Sequence, residues 1–139
     1  MKEIPPGEYV VKIYKLPKAF LSDDMDGHIR ARVGLEVIKR GDSIYMPLPF
    51  PAKGAKTTKS WSLWKRDSNT HLCECDVEGL SWLKDDVILL GIDPDQVVDN
   101  NGFVKLIEQM VGKYVLCSCR VKVTRLGFKA SFMFFRGLL

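Results

Sequence analysis

A chain of 139 residues that is 46% hydrophobic and 27% charged suffices for one packed core and is short for two, so a single domain over residues 1–139 is expected. The longest apolar run, VILLGI at 87–92, falls far below a bilayer span, and MKEIPPGEYV lacks the apolar stretch of a signal peptide, so the expectation is a cytosolic protein with no membrane role. The net charge of +4 conceals three blocks: residues 1–66 carry 13 Lys/Arg and 7 Asp/Glu, residues 67–108 carry 2 and 10, and residues 109–139 carry 6 and none.

In GEYVVKIYKL at 7–16, Tyr9, Val11 and Ile13 alternate with Glu8, Lys12 and Tyr14, the period of a strand covered on one side. GHIRARVGLEVIKRGD at 27–42 repeats the pattern, with Ile29, Ala31, Val33, Leu35 and Val37 inward and His28, Arg30, Arg32 and Glu36 outward. Gly34 inside this strand predicts a bulge or sharp bend. SIYMPLPF at 43–50 alternates again, and its two prolines on one side mark an edge strand. The basic stretch KGAKTTKSWSLWKR at 53–66 has little to bury before Trp61 and reads as an exposed connection, a basic loop over 51–66.

The acidic block changes period. Leu80, Leu83, Val87 and Leu90 recur at three and four, Asp76 suits a helix cap and Gly91 a left-handed stop, so a helix is expected. FVKLIEQMVG at 103–112 predicts a second helix with Val104, Ile107 and Val111 on one stripe; the helical region spans 76–112. Alternation then returns, with Val115, Cys117, Cys119, Val121 and Val123 inward and Tyr114, Leu116, Ser118, Arg120 and Lys122 outward. FKASFMFFRGLL gives a last strand, apolar on both sides at Phe132, Met133, Phe134 and Phe135 and therefore expected to be heavily buried. Phe134 and Phe135 on opposite faces suggest either a closed core or a surface covered by a second copy, a homo-oligomer.

Three strands, helices and two strands fit a mainly β fold, a five-stranded Greek-key barrel of the OB type with its helical insertion between strands three and four. Such barrels hold single strands by cations along the backbone and aromatic platforms under the bases. The expected groove is lined by Lys12, Tyr14, His28, Arg30, Arg32, Arg120 and Lys122, with Tyr114 at its edge. Lys53, Lys56 and Lys59 form a loop over it. Trp61 and Trp64, at helical spacing, either stack on bases or anchor the loop to the core, and packing is the better supported of the two.

IPPGEYVVKI, Gly27 ahead of LEVI at 35–38, and VGKYVLCSCRVKV at 111–123 resemble the landmarks of an uncharacterised family of phage proteins encoded in replication and recombination gene clusters. The resemblance implies a single-stranded DNA-binding OB domain acting beside phage or host recombination and replication proteins. Between about residues 53 and 76 this chain departs from the pattern with a longer basic, tryptophan-bearing stretch.

Other chemistry is poorly supported. Cysteines two apart on a regular strand have Cα atoms about 7 Å apart, whereas thiolates sharing a zinc come within about 4 Å of one another. Cys117 and Cys119 therefore read as small core residues, while HLCEC with His71, Cys73 and Cys75 retains the bend that ligation needs; no metal or other cofactor is expected. Asp85 and Asp86 diverge on a helix, Asp93 and Asp95 flank a turn proline, and neither histidine has a local partner, so no catalytic site is expected. The reading is a non-catalytic single-stranded DNA-binding protein. Its rival is a module of the same fold that docks a recombinase, polymerase or host factor through its acidic helices or Phe-rich end.

Overall fold

A computed structural model describes residues 4, 6–18, 20–23, 28–41, 54–66, 73–94, 100–123 and 126–138. The expected edge strand at 43–50, Lys53 and His71 lie outside them. Alternating apolar residues produce long antiparallel strands: β1 (Gly7–Tyr14), β2 (Phe20–Asp23), β3 (His28–Arg40), β4 (Lys56–Arg66), β5 (Cys73–Cys75), β6 (Tyr114–Val123) and β7 (Lys129–Leu138). Two helices, α1 (Val77–Leu89) and α2 (Asn100–Met110), stand between β5 and β6. The ladders run β5-β4-β3-β1-β6-β7, with β2 paired to β3 off this path. Among the described residues no ladder joins β7 to β4 or β5, so the sheet is not closed.

Three irregularities bend it. The register slips between Val10 and Val11 in the β1–β3 ladder, between Ile29 and Arg30 in β3–β4, and between Leu116 and Cys117 in β6–β7. Each inserts one extra residue, which increases local twist and lets a long strand curl. The concave face carries the core. Tyr9, Val11 and Ile13 of β1 meet Ala31, Val33, Leu35 and Val37 of β3, Trp61 and Leu63 of β4, Val115, Cys117 and Cys119 of β6, and Met133 and Phe135 of β7. Leu83 and Val87 of α1 and Leu90 at its C-cap cover it, with Leu106, Ile107 and Met110 from α2. Each large side chain so buried stabilises the fold by about 1.5–3 kcal/mol.

The helix signals act as expected at α1. The Asp76 carboxylate accepts from the Gly79 amide at 3.1 Å, closing the first turn, and Gly91 takes φ 73° after the last. In α2 the stripe is rotated from the expected one: Val104 is exposed, and the buried face is Leu106, Ile107 and Met110. Gly112 (φ 90°) ends that segment and donates to Ile13 O at 2.8 Å, fixing the entry into β6. No helix among the described residues is long and apolar enough to cross a membrane.

Residues 56–66 correct the sequence reading. They are not a connection but β4, paired to β3 along most of its length and to β5 at Trp64, Lys65 and Arg66. Thr57, Lys59, Trp61 and Leu63 alternate inward; the period was hidden because one inward position is a lysine. The bulge at Leu63 also explains the tryptophans. Three apart on a regular strand they would face opposite sides, but the extra residue leaves Trp61 buried and Trp64 half-buried against the same core. β7 corrects a second expectation, since Met133 and Phe135 are buried but Phe132 and Phe134 remain 41% and 38% exposed.

Candidate nucleic-acid interface

The convex face presents cations and rings in register. Tyr14 lies opposite Gly34, and a Cβ on Gly34 would sit 2.2 Å from a carbon of the tyrosine ring. Gly34 is thus a landing place for an aromatic ring rather than the bulge expected of it. Lys56 places its ammonium 5.5 Å from the centre of the Tyr14 ring, and Lys12 stands 5.8 Å from that of its cross-strand neighbour Tyr114. Glu36 pairs with Lys12 on one side and Lys56 on the other. The Arg32 Nε donates to Lys18 O at 2.8 Å, which fixes the guanidinium beside the chain leaving β1.

The unclosed seam between β4 and β7 is bridged by side chains. Lys59 Nζ donates to Met133 O at 2.8 Å and lies 3.7 Å from Asp86 Oδ2 of α1. Trp61 Nε1 donates to the same carboxylate oxygen at 2.7 Å, and its ring meets Phe135 edge to face at 6.1 Å. The Lys59 ammonium also stands 5.0 Å from the Phe135 ring centre. These partners tie both residues structurally. Lys59 is not part of a mobile arm, and Trp61, 3% exposed, is an anchor. Asp86 is committed to them while Asp85 points to solvent, which separates the two carboxylates.

Above this bridge lies a cleft of about 560 Å³. Lys56, Thr58 and Ser60 of β4 form one wall, Lys129, Phe132 and Phe134 of β7 the other, and Trp82 of α1 stands at its side. Trp82 is 59% exposed. The β7 wall is reinforced from β6: Lys122 Nζ lies 5.9 Å from the Phe132 ring centre and 5.1 Å from that of Phe134, and the Arg120 guanidinium 5.8 Å from the latter. Such interactions hold a cation over a ring face for about 0.5–1 kcal/mol without removing its charge from solvent.

The seam also decides which predicted residues meet. By the Lys59–Met133 and Trp61–Phe135 contacts, Thr58 stands level with Phe132 and Ser60 with Phe134. Ser60 pairs with Arg32 and Ser62 with Arg30. By these registers Lys56 is level with Ala130 and Lys122, and Arg32 is two residues along the strands from the level of Arg120, while Arg30 lies farther along the seam. Along the intact sheet, by contrast, the arginines are about ten residue steps apart on the line of β1, roughly 33 Å. Lys12, Tyr14 and Tyr114 sit around the bend on β1 and β6. His28 contributes its backbone to β3, and its side chain lies outside the described part. Trp64 packs at the β4–β5 end.

The sequence reading missed Trp82, Lys129, Phe132 and Phe134. Trp82 had a legible signal: it lies off the Leu80/Leu83/Val87 stripe, so a large apolar ring was left on the solvent side of α1. Cys117 and Cys119 are buried in the core, and burial pushes the Cys117 thiol up to about 12, partly offset by the Lys59 charge nearby. Among the described residues no group of three or more His, Cys, Asp or Glu is placed to hold a metal ion. Comparison of the chain with protein-family models, with curated proteins and with solved structures gives no match.

Proposed function

We propose that this is a non-catalytic, cytoplasmic single-stranded DNA-binding protein with little sequence preference, serving phage replication and recombination as the sequence resemblance implies. One observation carries the reading: three solvent-open aromatic rings, Trp82, Phe132 and Phe134, share a single cleft with Lys56 and Lys129, flanked by Arg120 and Lys122. Exposed rings beside cations are what stacking of bases and neutralisation of phosphates require. This reading puts the site at the seam between β4 and β7 rather than along the outward faces of β1, β3 and β6.

The OB-type barrel is part of the proposal. In its favour, the five long strands follow the order β4-β3-β1-β6-β7, and α1 and α2 fall between the third and fourth of them in sequence. Alternating antiparallel ladders make β4 and β7 parallel to each other across the seam. Following the registers from Lys59 across β3, β1 and β6 arrives on the line of β7 about nine residues past Met133, its direct partner, a stagger of the kind a small barrel needs to curl closed.

Changing Arg120 and Lys122 together to Glu tests the site. Oligo-dT affinity should fall below detection while stability drops by no more than about 1–2 kcal/mol, the loss of their ring contacts, because both residues are exposed; unchanged affinity would remove the site from this cleft. A second reading has its own observation. Val77 and Ile88 are exposed apolar residues on the solvent side of α1 near Glu78 and Asp85, a surface suited to docking a recombinase, polymerase or host factor. No oligonucleotide binding, together with a protein association lost in Ile88→Ser, would favour that reading.

A further inference from the structure

We infer that Asp86 is a positioning residue of the cleft: it fixes α1 against the seam and so holds the Trp82 ring where a base can stack on it. The inference rests on the single-strand reading of the cleft. The Asp86 side chain is 16% exposed and that of its partner Lys59 15%. One carboxylate oxygen, Oδ2, accepts from Trp61 Nε1 of β4 at 2.7 Å and lies 3.7 Å from Lys59 Nζ, which itself donates to Met133 O of β7 at 2.8 Å. A single oxygen of α1 is thereby tied to both strands that flank the open seam. As a charge it works against the site, since an acid here repels phosphate and offsets Lys59. Its use is geometric.

Trp82 stands between two fixed points of α1. In the first turn, Gly79 lies so close to β4 that a Cβ there would collide with Ser62 O. In the third, Asp86 makes the contacts just described. Trp82 is three residues after Gly79 and four before Asp86, spacings that place all three along one flank of the helix. Its Cα is about 6 Å along the axis from that of Asp86. Leu83 and Val87, buried beneath α1, keep the helix on the core, but apolar contact is non-directional and does not set the tilt. Without the Asp86 link, α1 can tilt about the Gly79 contact, and the flank that moves carries the ring. A gap of about 1 Å between ring and base forfeits up to about half of their dispersion attraction.

The test is a double-mutant cycle on the full chain, read by fluorescence anisotropy of labelled oligo-dT. If Asp86 acted as a charge alone, Asp86→Ala would tighten binding. As a positioning residue, its loss should weaken binding about tenfold, within the roughly 5- to 150-fold that one stacked ring contributes. In a Trp82→Ala background, where no ring remains to be placed, the same substitution should leave affinity unchanged or raise it. Tightened or unchanged affinity in the single variant overturns the assignment. So does an equal loss with and without Trp82, which would make Asp86 a support of the whole fold. Should Asp86→Ala fail to unfold cooperatively in urea, Asp86→Asn decides, because its amide oxygen still accepts from Trp61 and only the charge facing Lys59 is lost. It should weaken binding about threefold, the scale of one polar contact, and only where Trp82 is present; tightening would overturn the positioning role here too. Failure of the cycle leaves the cleft reading intact, whereas an unaltered chain that does not bind oligo-dT overturns the cleft reading and this inference with it.

Discussion

Replacing Trp82 with alanine should separate binding from folding, and replacing Trp61 should do the reverse. Trp82 is 59% exposed at the side of the cleft, so its loss alters stability by no more than about 0.5 kcal/mol. A base stacked on an aromatic ring contributes about 1–3 kcal/mol, so oligo-dT affinity of Trp82→Ala should drop about 5- to 150-fold. Trp61 is 3% exposed, packs on Phe135 and donates to Asp86. Trp61→Ala should therefore cost about 3–5 kcal/mol of stability, a large part of the margin of a domain this size. Urea unfolding and fluorescence anisotropy measure the two axes. In variants keeping one tryptophan, oligo-dT should quench Trp82 and leave Trp61 silent. Full affinity in Trp82→Ala, or quenching of Trp61 without unfolding, would refute the assignment of platform and anchor.

Three further outcomes follow. Arg120→Gln/Lys122→Gln should flatten the dependence of log affinity on log salt by about 1.4, some 0.7 for each single-strand phosphate that is no longer neutralised; an unchanged slope would place the phosphates elsewhere. Gly34→Ala should destabilise by about 1–3 kcal/mol because its methyl would enter the Tyr14 ring at 2.2 Å, and in a Tyr14→Ala background the same change should be neutral or stabilising. Equal cost in both backgrounds, read from urea midpoints, would contradict the stacking. Burial raises the Cys117 thiol from its ordinary 9.0 to about 12, so the folded state holds a proton that the unfolded state releases. That contribution is complete below pH 9 and is lost as pH rises from 9 to about 12; Cys117→Ala should show a shallower alkaline fall in the urea midpoint, and an identical fall would dismiss the effect.

Where one face of an element was apolar and the other polar, its structure was legible in the sequence. β1, β3 and β6 came directly from alternation, and α1 from a stripe bounded by Asp76 and Gly91. β4 was hidden because Lys59 occupies an inward position, stabilised by Met133 O and Asp86 from elements distant in sequence. β2 is four residues long, too short for a period to register. In β7, Phe132, Met133, Phe134 and Phe135 are all apolar, so the pattern could not say which pair faced out. Of the cations of the proposed site, Arg120 and Lys122 were legible as outward residues of an alternating strand and Lys56 as a loop cation, while Lys129 was missed. Their meeting place was not legible, because β4 and β7 come together only when the sheet curls, and no local pattern encodes that approach. Trp61 and Trp64, which drew attention by their spacing, serve the core, while Trp82 within an acidic helix faces the cleft.

The central claim is that a single strand lies in the β4–β7 cleft, held by phosphate neutralisation and stacking. Its most direct test is a fluorescence-anisotropy titration of labelled oligo-dT and of a duplex of equal length at about 50 and about 200 mM salt. With Lys56, Lys129, Arg120 and Lys122 each neutralising a phosphate, oligo-dT affinity should fall about 50-fold between the two salts, and the duplex, whose bases cannot reach the rings, should bind more weakly at both. Absence of oligo-dT binding at the lower salt, or equal affinity for single strand and duplex, would contradict the account.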